Sequence, residues 1–147
     1  MGLTFLMRAY ILTFFMTILF SASALADVLV IVNANNPVST LERKQVVDIF
    51  MGRATAFPTQ QPAHTLDVTS ISNLRAIFYK SLTGKNEAQV DAYWATLVFA
   101  GRMSPPEKLP DEAAVIKAVK NNAAAIGYVT RQNLPAGVKV VMELPTP

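Results

Sequence analysis

The chain has 147 residues, of which 52% are hydrophobic and 16% are charged, with 13 lysines and arginines against 10 aspartates and glutamates. This composition is too apolar for a disordered chain, and a formal charge of +3 without a basic cluster argues against a nucleic-acid-binding surface. The sequence has no cysteine, which excludes disulfides, zinc–thiolate sites and cysteine nucleophiles, so packing alone must stabilise the fold.

The first 26 residues have the features of a secretory signal peptide. Arg8 is the only charged residue among them, residues 9–21 are an almost unbroken apolar run, and residues 24–26 form a small-x-small cleavage pattern. The alternative is an uncleaved membrane anchor, but the apolar run is shorter than the roughly 20 residues that span a bilayer. We therefore expect cleavage after Ala26, a periplasmic location, no membrane span after cleavage, and one domain over residues 27–147.

Apolar periodicity and capping residues predict alternating strands and helices in the rest of the chain. The predicted strands cover residues 28–32, 65–68, 124–129 and 138–142. Helices are predicted after capping boxes at 39–42 and 86–89, from Ser70 to Leu82, and after the cap Asp111. Residues 102–110 hold three prolines and are predicted to be irregular. This order indicates an α/β fold with a small, mostly parallel sheet flanked by helices.

The join between the second strand and its helix carries the candidate binding residues, which are Thr69, Ser70, Ser72, Asn73 and Arg75. The first turn of a helix carries partial positive charge and readily holds an anion. Arg75 could add a fork of donors that fits carboxylate, phosphate or sulfate. The turn also follows the carboxyl end of a strand, where ligands of open α/β sheets bind. Plain capping is the alternative, with a serine closing the helix and Arg75 solvated on its outer face.

Other residues with chemical potential have simpler interpretations. His64 is the only histidine, and no partner for a catalytic base is visible, so we expect a surface or loop position. Trp94 shares a predicted buried stripe with Val90, Leu97 and Val98, which favours a core position over ligand stacking. We predict no catalytic residue, no metal ligand and no cofactor, and we expect the protein not to be an enzyme.

Several short segments occur in the order seen in the periplasmic binding protein-like superfamily. They are Ile-Phe-Met-Gly at 49–52, Phe-Pro at 57–58, the strand–serine–helix turn with Arg75 and Phe78, Tyr-Trp at 93–94 followed by Phe-Ala-Gly at 99–101, and Ala-Ile-Gly-Tyr-Val at 125–129. The sequence most resembles the phosphate-binding proteins of phosphate ABC transporters and short exported proteins related to them. The resemblance covers nearly all of residues 28–142 and implies a single lobe of that fold.

The resemblance implies an exported solute-binding-like protein that binds a small oxyanion such as phosphate, linked to ABC-type transport or sensing. Two departures lower the expected affinity. The family's phosphate proteins close two lobes over the ion, and this chain has the length of one. Residues 68–73 also replace an Arg-Ser-Asp-Gly-Ser-Gly-Thr type run; Ser72 matches a family serine, and Arg75 is expected to supply the missing charge as an exposed residue. We expect a millimolar dissociation constant, which corresponds to a binding free energy of about −4 kcal/mol.

The alternative is a ligand-free protein-interaction or accessory module of the cell envelope, which acts with a membrane transporter or a sensor protein. Such a module needs an exposed patch, and the loops at 57–62 and 103–106 are the candidates. One fold can host either function, so the residues alone leave both open.

Overall fold

The computed structural model of the protein describes residues 27–69 and 72–146. The signal peptide predicted over residues 1–26 lies outside them. Within the described ranges the chain forms five strands and four α-helices. In chain order these are β1 Val28–Asn33, α1 Arg43–Phe50, β2 His64–Val68, α2 Leu74–Thr83, α3 Glu87–Phe99, β3 Glu107–Leu109, α4 Glu112–Asn121, β4 Ala125–Thr130 and β5 Val138–Leu144, with a short 3₁₀ turn at Arg131–Asn133.

The five strands form one mixed sheet in the order β3-β2-β4-β1-β5. Strand β2 pairs in parallel with β3 and β4, whereas β1 pairs antiparallel with β4 and β5. Four of the five strands therefore point the same way, which confirms the predicted α/β class with a mostly parallel sheet. Strand β1 is the exception to the expected parallel arrangement, because a continuous apolar run indicates a buried strand but not its direction.

Alternating side chains of β4 show how helices cover both faces of the sheet. On one face, a Cβ placed on Gly127 would lie 2.6 Å from Cγ1 of Val115, so the absence of a side chain lets α4 approach closely. On the other face, the ring of Tyr128 stacks on Phe78 of α2, with centroids 3.7 Å apart and planes 8° apart. The fully buried strand β1 lies in the same core.

The prediction that residues 102–110 are irregular is wrong for three of them. Glu107–Leu109 forms the edge strand β3, which places Lys108 beside Asp67 of β2. The prolines lie on either side of this short strand, so none of them removes a ladder N–H from it.

The predicted start of α1 is also wrong. The helix begins at Arg43 with Glu42 at the N-cap, rather than with a cap at Ser39. The N–H of Leu41 donates to the carbonyl of Val141 in β5 at 2.9 Å. This contact holds the chain alongside the sheet, so the helix begins further along the chain. The hydrogen bond joins residues far apart in sequence, which is why the sequence does not predict it.

The predicted starts of α3 and α4 and the predicted end of α2 agree with the structure. The side chain of Asn86 accepts from the N–H of Gln89, and the side chain of Asp111 accepts from the N–H of Ala114. Gly84 closes α2 in the left-handed conformation, with φ of 75°. These caps form between residues close in sequence, which explains why the sequence alone predicts them.

Candidate functional site

Two hydrogen bonds hold the segment that follows β2 against the end of β3, so this segment turns toward α2 later than expected. The N–H of Thr69 donates to the carbonyl of Leu109 at 3.0 Å, and its hydroxyl donates to the carbonyl of Pro110 at 3.1 Å. Both bonds extend the pairing with β3 past the end of β2. Helix α2 accordingly begins at Leu74, and the expected helix start at Ser70 is wrong.

Two polar residues that lie just before α2 are exposed. Ser72 and Asn73 lie on the surface, and Ser70 falls outside the described residues. Asn73, not a serine, occupies the N-cap position of α2, and its side chain makes no capping hydrogen bond. A helix start without such a bond leaves its first N–H groups to water or to a ligand.

Arg75 is not the exposed residue that the sequence predicts. Its side chain is 1% exposed, and its guanidinium contacts three carboxylates. Nε donates to Asp67 at 2.9 Å, Nη1 to Glu87 at 3.2 Å, and Nη2 to Asp91 at 2.8 Å. Arg75 turns inward because Asp67 places a charge on the buried part of β2, and α3 brings the other two carboxylates to the same point.

The carboxylate of Asp67 is the centre of this buried network. One oxygen accepts from the N–H of Val68 at 2.9 Å and from the hydroxyl of Tyr128. The other accepts from Nε of Arg75 at 2.9 Å and from the hydroxyl of Tyr79 at 3.1 Å. Four donors use the acceptor capacity of one carboxylate, so Asp67 is fully satisfied without a ligand.

Burial and this carboxylate fix the protonation of the neighbouring groups. Burial by itself lowers the pKa of Arg75, but the hydrogen bond and charge of Asp67 and the hydrogen bond to Asp91 outweigh it and raise the pKa overall. Burial, reinforced by the charge of Asp67, raises the pKa of Tyr79 and that of Tyr128 far above the usual value. At neutral pH the arginine is charged and both tyrosines are neutral donors.

The charge around Arg75 is balanced by acids. Three carboxylates contact its guanidinium, and the second cation, Lys108, lies 3.7 Å from Asp91. Five charged groups thus contribute three negative and two positive charges. An anion approaching this cluster meets no excess of positive charge, so the guanidinium does not provide the free fork that the sequence suggested.

A groove runs beside the cluster. Its volume is about 330 Å³, and Asp67 and Arg75 lie among its lining residues. The remaining lining comes from α3 and from the segment before and within β3: Asp91, Trp94, Ala95, Val98, Pro105, Pro106 and Lys108. Five of these seven side chains are apolar, which makes the groove more suitable for an apolar group than for an ion.

Trp94 is buried, as the sequence predicts, but the prediction that Val98 of the same stripe is buried is wrong, because Val98 is 50% exposed. Its side chain is 6% exposed, and Cη2 would lie 2.6 Å from a Cβ placed on Gly52. The indole Nε1 is buried without a hydrogen-bond partner among the described residues. The ring therefore fills the space between α3 and the end of α1.

His64 is exposed, as expected, but it has a partner that the sequence did not reveal. It opens β2, and its Nε2 lies 2.6 Å from a carboxylate oxygen of Glu107 in the adjacent β3. Both side chains are about half exposed, and within the described residues no group of three histidine, aspartate or glutamate side chains could hold a metal ion. The pair ties an edge strand to its neighbour.

Sequence reasoning missed Asp67, Tyr79 and Tyr128 as members of the network. A weak signal was present, because Asp67 interrupts the apolar end of a strand, and a charge there needs a buried partner. The sequence offered no way to identify Arg75 as that partner, since Asp91 and Tyr128 also join from distant elements.

The helices of the described part of the chain are too short or too polar to cross a membrane. This finding concerns residues 27–69 and 72–146 alone.

Several solved structures have the same fold as this chain. One is a protein from Clostridium perfringens assigned as a phosphate ABC transporter substrate-binding protein, with bound phosphate; it is 20% identical, with a TM-score of 0.63, and the match covers 80% of this chain and 45% of that one. Another is an ABC-type phosphate transport receptor from Vibrio cholerae, 19% identical, with a TM-score of 0.62, covering 80% and 47%. A third is PstS from Borrelia burgdorferi, 11% identical, with a TM-score of 0.60, covering 79% and 47%.

These likenesses show that about 80% of this chain shares its fold with part of each of these solved proteins. The chain spans about half the length of the solved structures it matches. No protein-family model and no curated protein sequence matches the chain.

Proposed function

We propose that the protein is a periplasmic, non-enzymatic solute-binding protein that binds a small oxyanion such as phosphate weakly, in ABC-type transport or sensing. One observation carries the proposal. The exposed residues Ser72 and Asn73 lie directly before the first turn of α2, in the segment that follows the carboxyl end of β2, and the fold resembles that of phosphate-binding proteins. The partner would be a membrane transporter or a sensor protein.

The proposed donors are the first N–H groups of α2 with the side chains of Ser70, Ser72 and Asn73. Exposure of Ser72 and Asn73 supports this assignment, and so does the missing capping bond of Asn73. Thr69 contributes differently from what the sequence suggested. Its hydroxyl already donates to the carbonyl of Pro110, so we propose that Thr69 stabilises the turn.

Arg75 also takes a different part in the proposal. Its guanidinium holds α2 against β2 and α3 through Asp67 and Asp91, and thereby positions the first turn of α2. With that charge neutralised, an anion at the turn gains a few solvent-exposed hydrogen bonds and the partial charge of the helix. We therefore expect a dissociation constant in the millimolar range, which corresponds to a binding free energy of about −4 kcal/mol.

The decisive variant is Asn73→Asp. Aspartate is as good an N-cap as asparagine, so folding should be unharmed, while its charge repels an anion from the proposed site. Thermal-shift measurements with phosphate, sulfate, molybdate and carboxylates should show stabilisation of the wild-type protein at millimolar anion and none of the variant, since a ligand raises stability only when it binds the native state.

Asn86→Asp is the matched control, because it makes the same change at the N-cap of α3. It should keep the full anion response. Equal responses of all three proteins, or no response to any anion, would contradict the proposal. The ligand-free accessory module would then be favoured, in keeping with the neutralised charge of Arg75.

Export is the second part of the proposal. The apolar run of residues 9–21 and the Ala-Leu-Ala at 24–26 support cleavage after Ala26. Intact-mass measurement on the protein from the periplasm of an exporting host should give a chain that begins at Asp27. Recovery of the chain with Met1 in the membrane fraction would contradict it.

A further inference from the structure

Helix α3, which the structure describes throughout, is packed less deeply than its neighbour α2. Two of its thirteen residues, Val90 and Trp94, are buried, and eight are exposed, with Phe99 at 95%. In α2, five of ten residues are buried. Local opening is easiest where little apolar surface is buried, so α3 separates from the rest of the chain more readily than α2 does.

The charged contacts of α3 lie partly in solvent. Asp91 accepts from Nη2 of Arg75 at 2.8 Å and lies 3.7 Å from Lys108, but its side chain is 54% exposed. Glu87 contacts Nη1 of Arg75 at 3.2 Å, with a side chain that is 28% exposed. Because solvent screens such pairs, they oppose the separation of α3 only weakly.

The buried ring of Trp94 carries a group that the packed arrangement leaves unsatisfied. Its indole Nε1 has no hydrogen-bond partner among the described residues, whereas the hydroxyl of the neighbouring Tyr93 donates to the carbonyl of Met51 at 2.7 Å. A buried donor without a partner costs free energy that water would recover. Moving α3 away from the end of α1 exposes Nε1 to water, which offsets part of the cost of opening.

A glycine lies close to each end of α3. Gly84 precedes the helix by three residues and Gly101 follows it by two, with φ of +75° and +67°. Among the described residues, both have open space where a Cβ would stand. The backbone can therefore change direction at both points without displacing a neighbour, as a hinge requires.

We propose that α3 opens as a unit about these two glycines while the sheet and the other helices stay folded. Opening withdraws the carboxylates of Glu87 and Asp91 from Arg75 and removes one wall of the groove. Nε of Arg75 keeps its hydrogen bond to Asp67, so the buried pair remains intact. The movement thus changes the guanidinium from three carboxylate neighbours to one. It does not depend on anion binding at the turn before α2.

Native-state hydrogen exchange followed by NMR, on the protein as an exporting host processes it, tests this opening. Without urea, the amides of Trp94 and Leu97 in α3 should be protected at least roughly 10-fold less than the amides of β1. Their protection should hardly change in low urea and should meet that of β1 as urea is raised, because complete unfolding exposes more surface than opening of one helix.

Two conservative variants distinguish opening of α3 from unfolding of the whole chain. Ile31 is buried in β1 and pairs with Gly127, whose missing side chain lets α4 approach, so it lies on the sheet face opposite α2. Ile31→Val should lower the protection of β1 roughly 2- to 10-fold and leave that of α3 unchanged, since Ile31 stays buried when α3 opens. Val90→Ala should lower the protection of both elements by the same factor, since Val90 loses its contacts in either event.

Two results would overturn the proposal. One is equal protection of α3 and β1 in the wild-type protein without urea. The other is a loss of protection in α3 on Ile31→Val as large as the loss in β1. Either result would mean that α3 leaves the rest of the chain only when the whole chain unfolds.

Discussion

At the level of single residues, the burial of Arg75 decides what its removal does. Arg75→Ala leaves the buried carboxylate of Asp67 without its cation, and such a change typically costs about 3–5 kcal/mol. That is a large part of an ordinary stability of about 5–15 kcal/mol. We expect urea unfolding to show a loss of this size, whereas an exposed arginine would have left the stability nearly unchanged.

Arg131→Ala provides the comparison. Arg131 also contacts two carboxylates, Asp27 and Glu143, but its side chain is 50% exposed, so solvent screens both pairs. Its removal should change stability little. Equal unfolding midpoints for the two variants would show that Arg75 is not held in the buried network.

The two buried tyrosines predict a loss of stability at high pH. Burial raises the pKa of Tyr79 and Tyr128 in the folded state, so above about pH 10 the unfolded chain releases protons that the folded chain retains. Stability from these groups is complete below pH 10 and falls above it, by about 1.4 kcal/mol per pH unit for each tyrosine. Urea midpoints measured between pH 9 and 12 should decline accordingly.

Phenolate absorbance gives an independent check on the same two residues. Their signal should appear only as the protein unfolds, and a variant with phenylalanine at both positions should lose stability less steeply with pH. Phenolate formation at all tyrosines in the folded protein near pH 10 would contradict the buried hydrogen bonds to Asp67.

At the level of elements, the packing of α3 on the end of α1 depends on a glycine. Gly52 has φ of +72°, and an added Cβ would lie 2.6 Å from the ring of Trp94. Gly84 has a similar φ of +75° but open space around it. Gly52→Ala should therefore cost about 1–3 kcal/mol more than Gly84→Ala, because both are strained at the backbone and only the first is overpacked.

Differential scanning calorimetry gives the loss of stability of each variant, and the difference between the two losses is the cost of overpacking against Trp94. If both variants lost the same stability, Trp94 would have room to move, and its assignment to the core would weaken.

Elements formed by local contacts could be predicted from the sequence, and those set by distant contacts could not. The caps Asn86 and Asp111 bond to N–H groups three residues away, and both were predicted. The starts of α1 and α2 were not, because Leu41 bonds to β5 and Thr69 bonds to β3. These distant hydrogen bonds keep polar segments extended where a local pattern favours a helix.

The same difference between local and distant contacts decides which features of the candidate site the sequence predicts. The sequence located the turn at the carboxyl end of β2, because strand, polar turn and apolar stripe follow one another within 14 residues. It did not locate the side chain of Arg75, whose direction is fixed by Asp67 eight residues before it and Asp91 sixteen residues after it. A charge inside a strand shows that a partner is needed and leaves its identity open.

At the level of the whole molecule, the described residues form one lobe whose buried charges are neutralised internally. The buried side chains of Asp67 and Arg75 need no ligand to satisfy them, since their partners lie within the described residues. Anion binding at the turn before α2 would add to the stability of the protein, by about 1.4 kcal/mol at ten times the dissociation constant. Because this added stability is small, a measurement that reports on individual residues tests the site more sharply than a melting temperature does.

Titration of the protein with phosphate, followed by amide NMR, tests the proposed anion site most directly. We expect fast-exchange shifts that cluster at residues 69–76, saturate in the millimolar range and vanish in Asn73→Asp but not in Asn86→Asp. Shifts spread over the surface, or none up to about ten times the expected millimolar dissociation constant, would contradict an anion site at the start of α2.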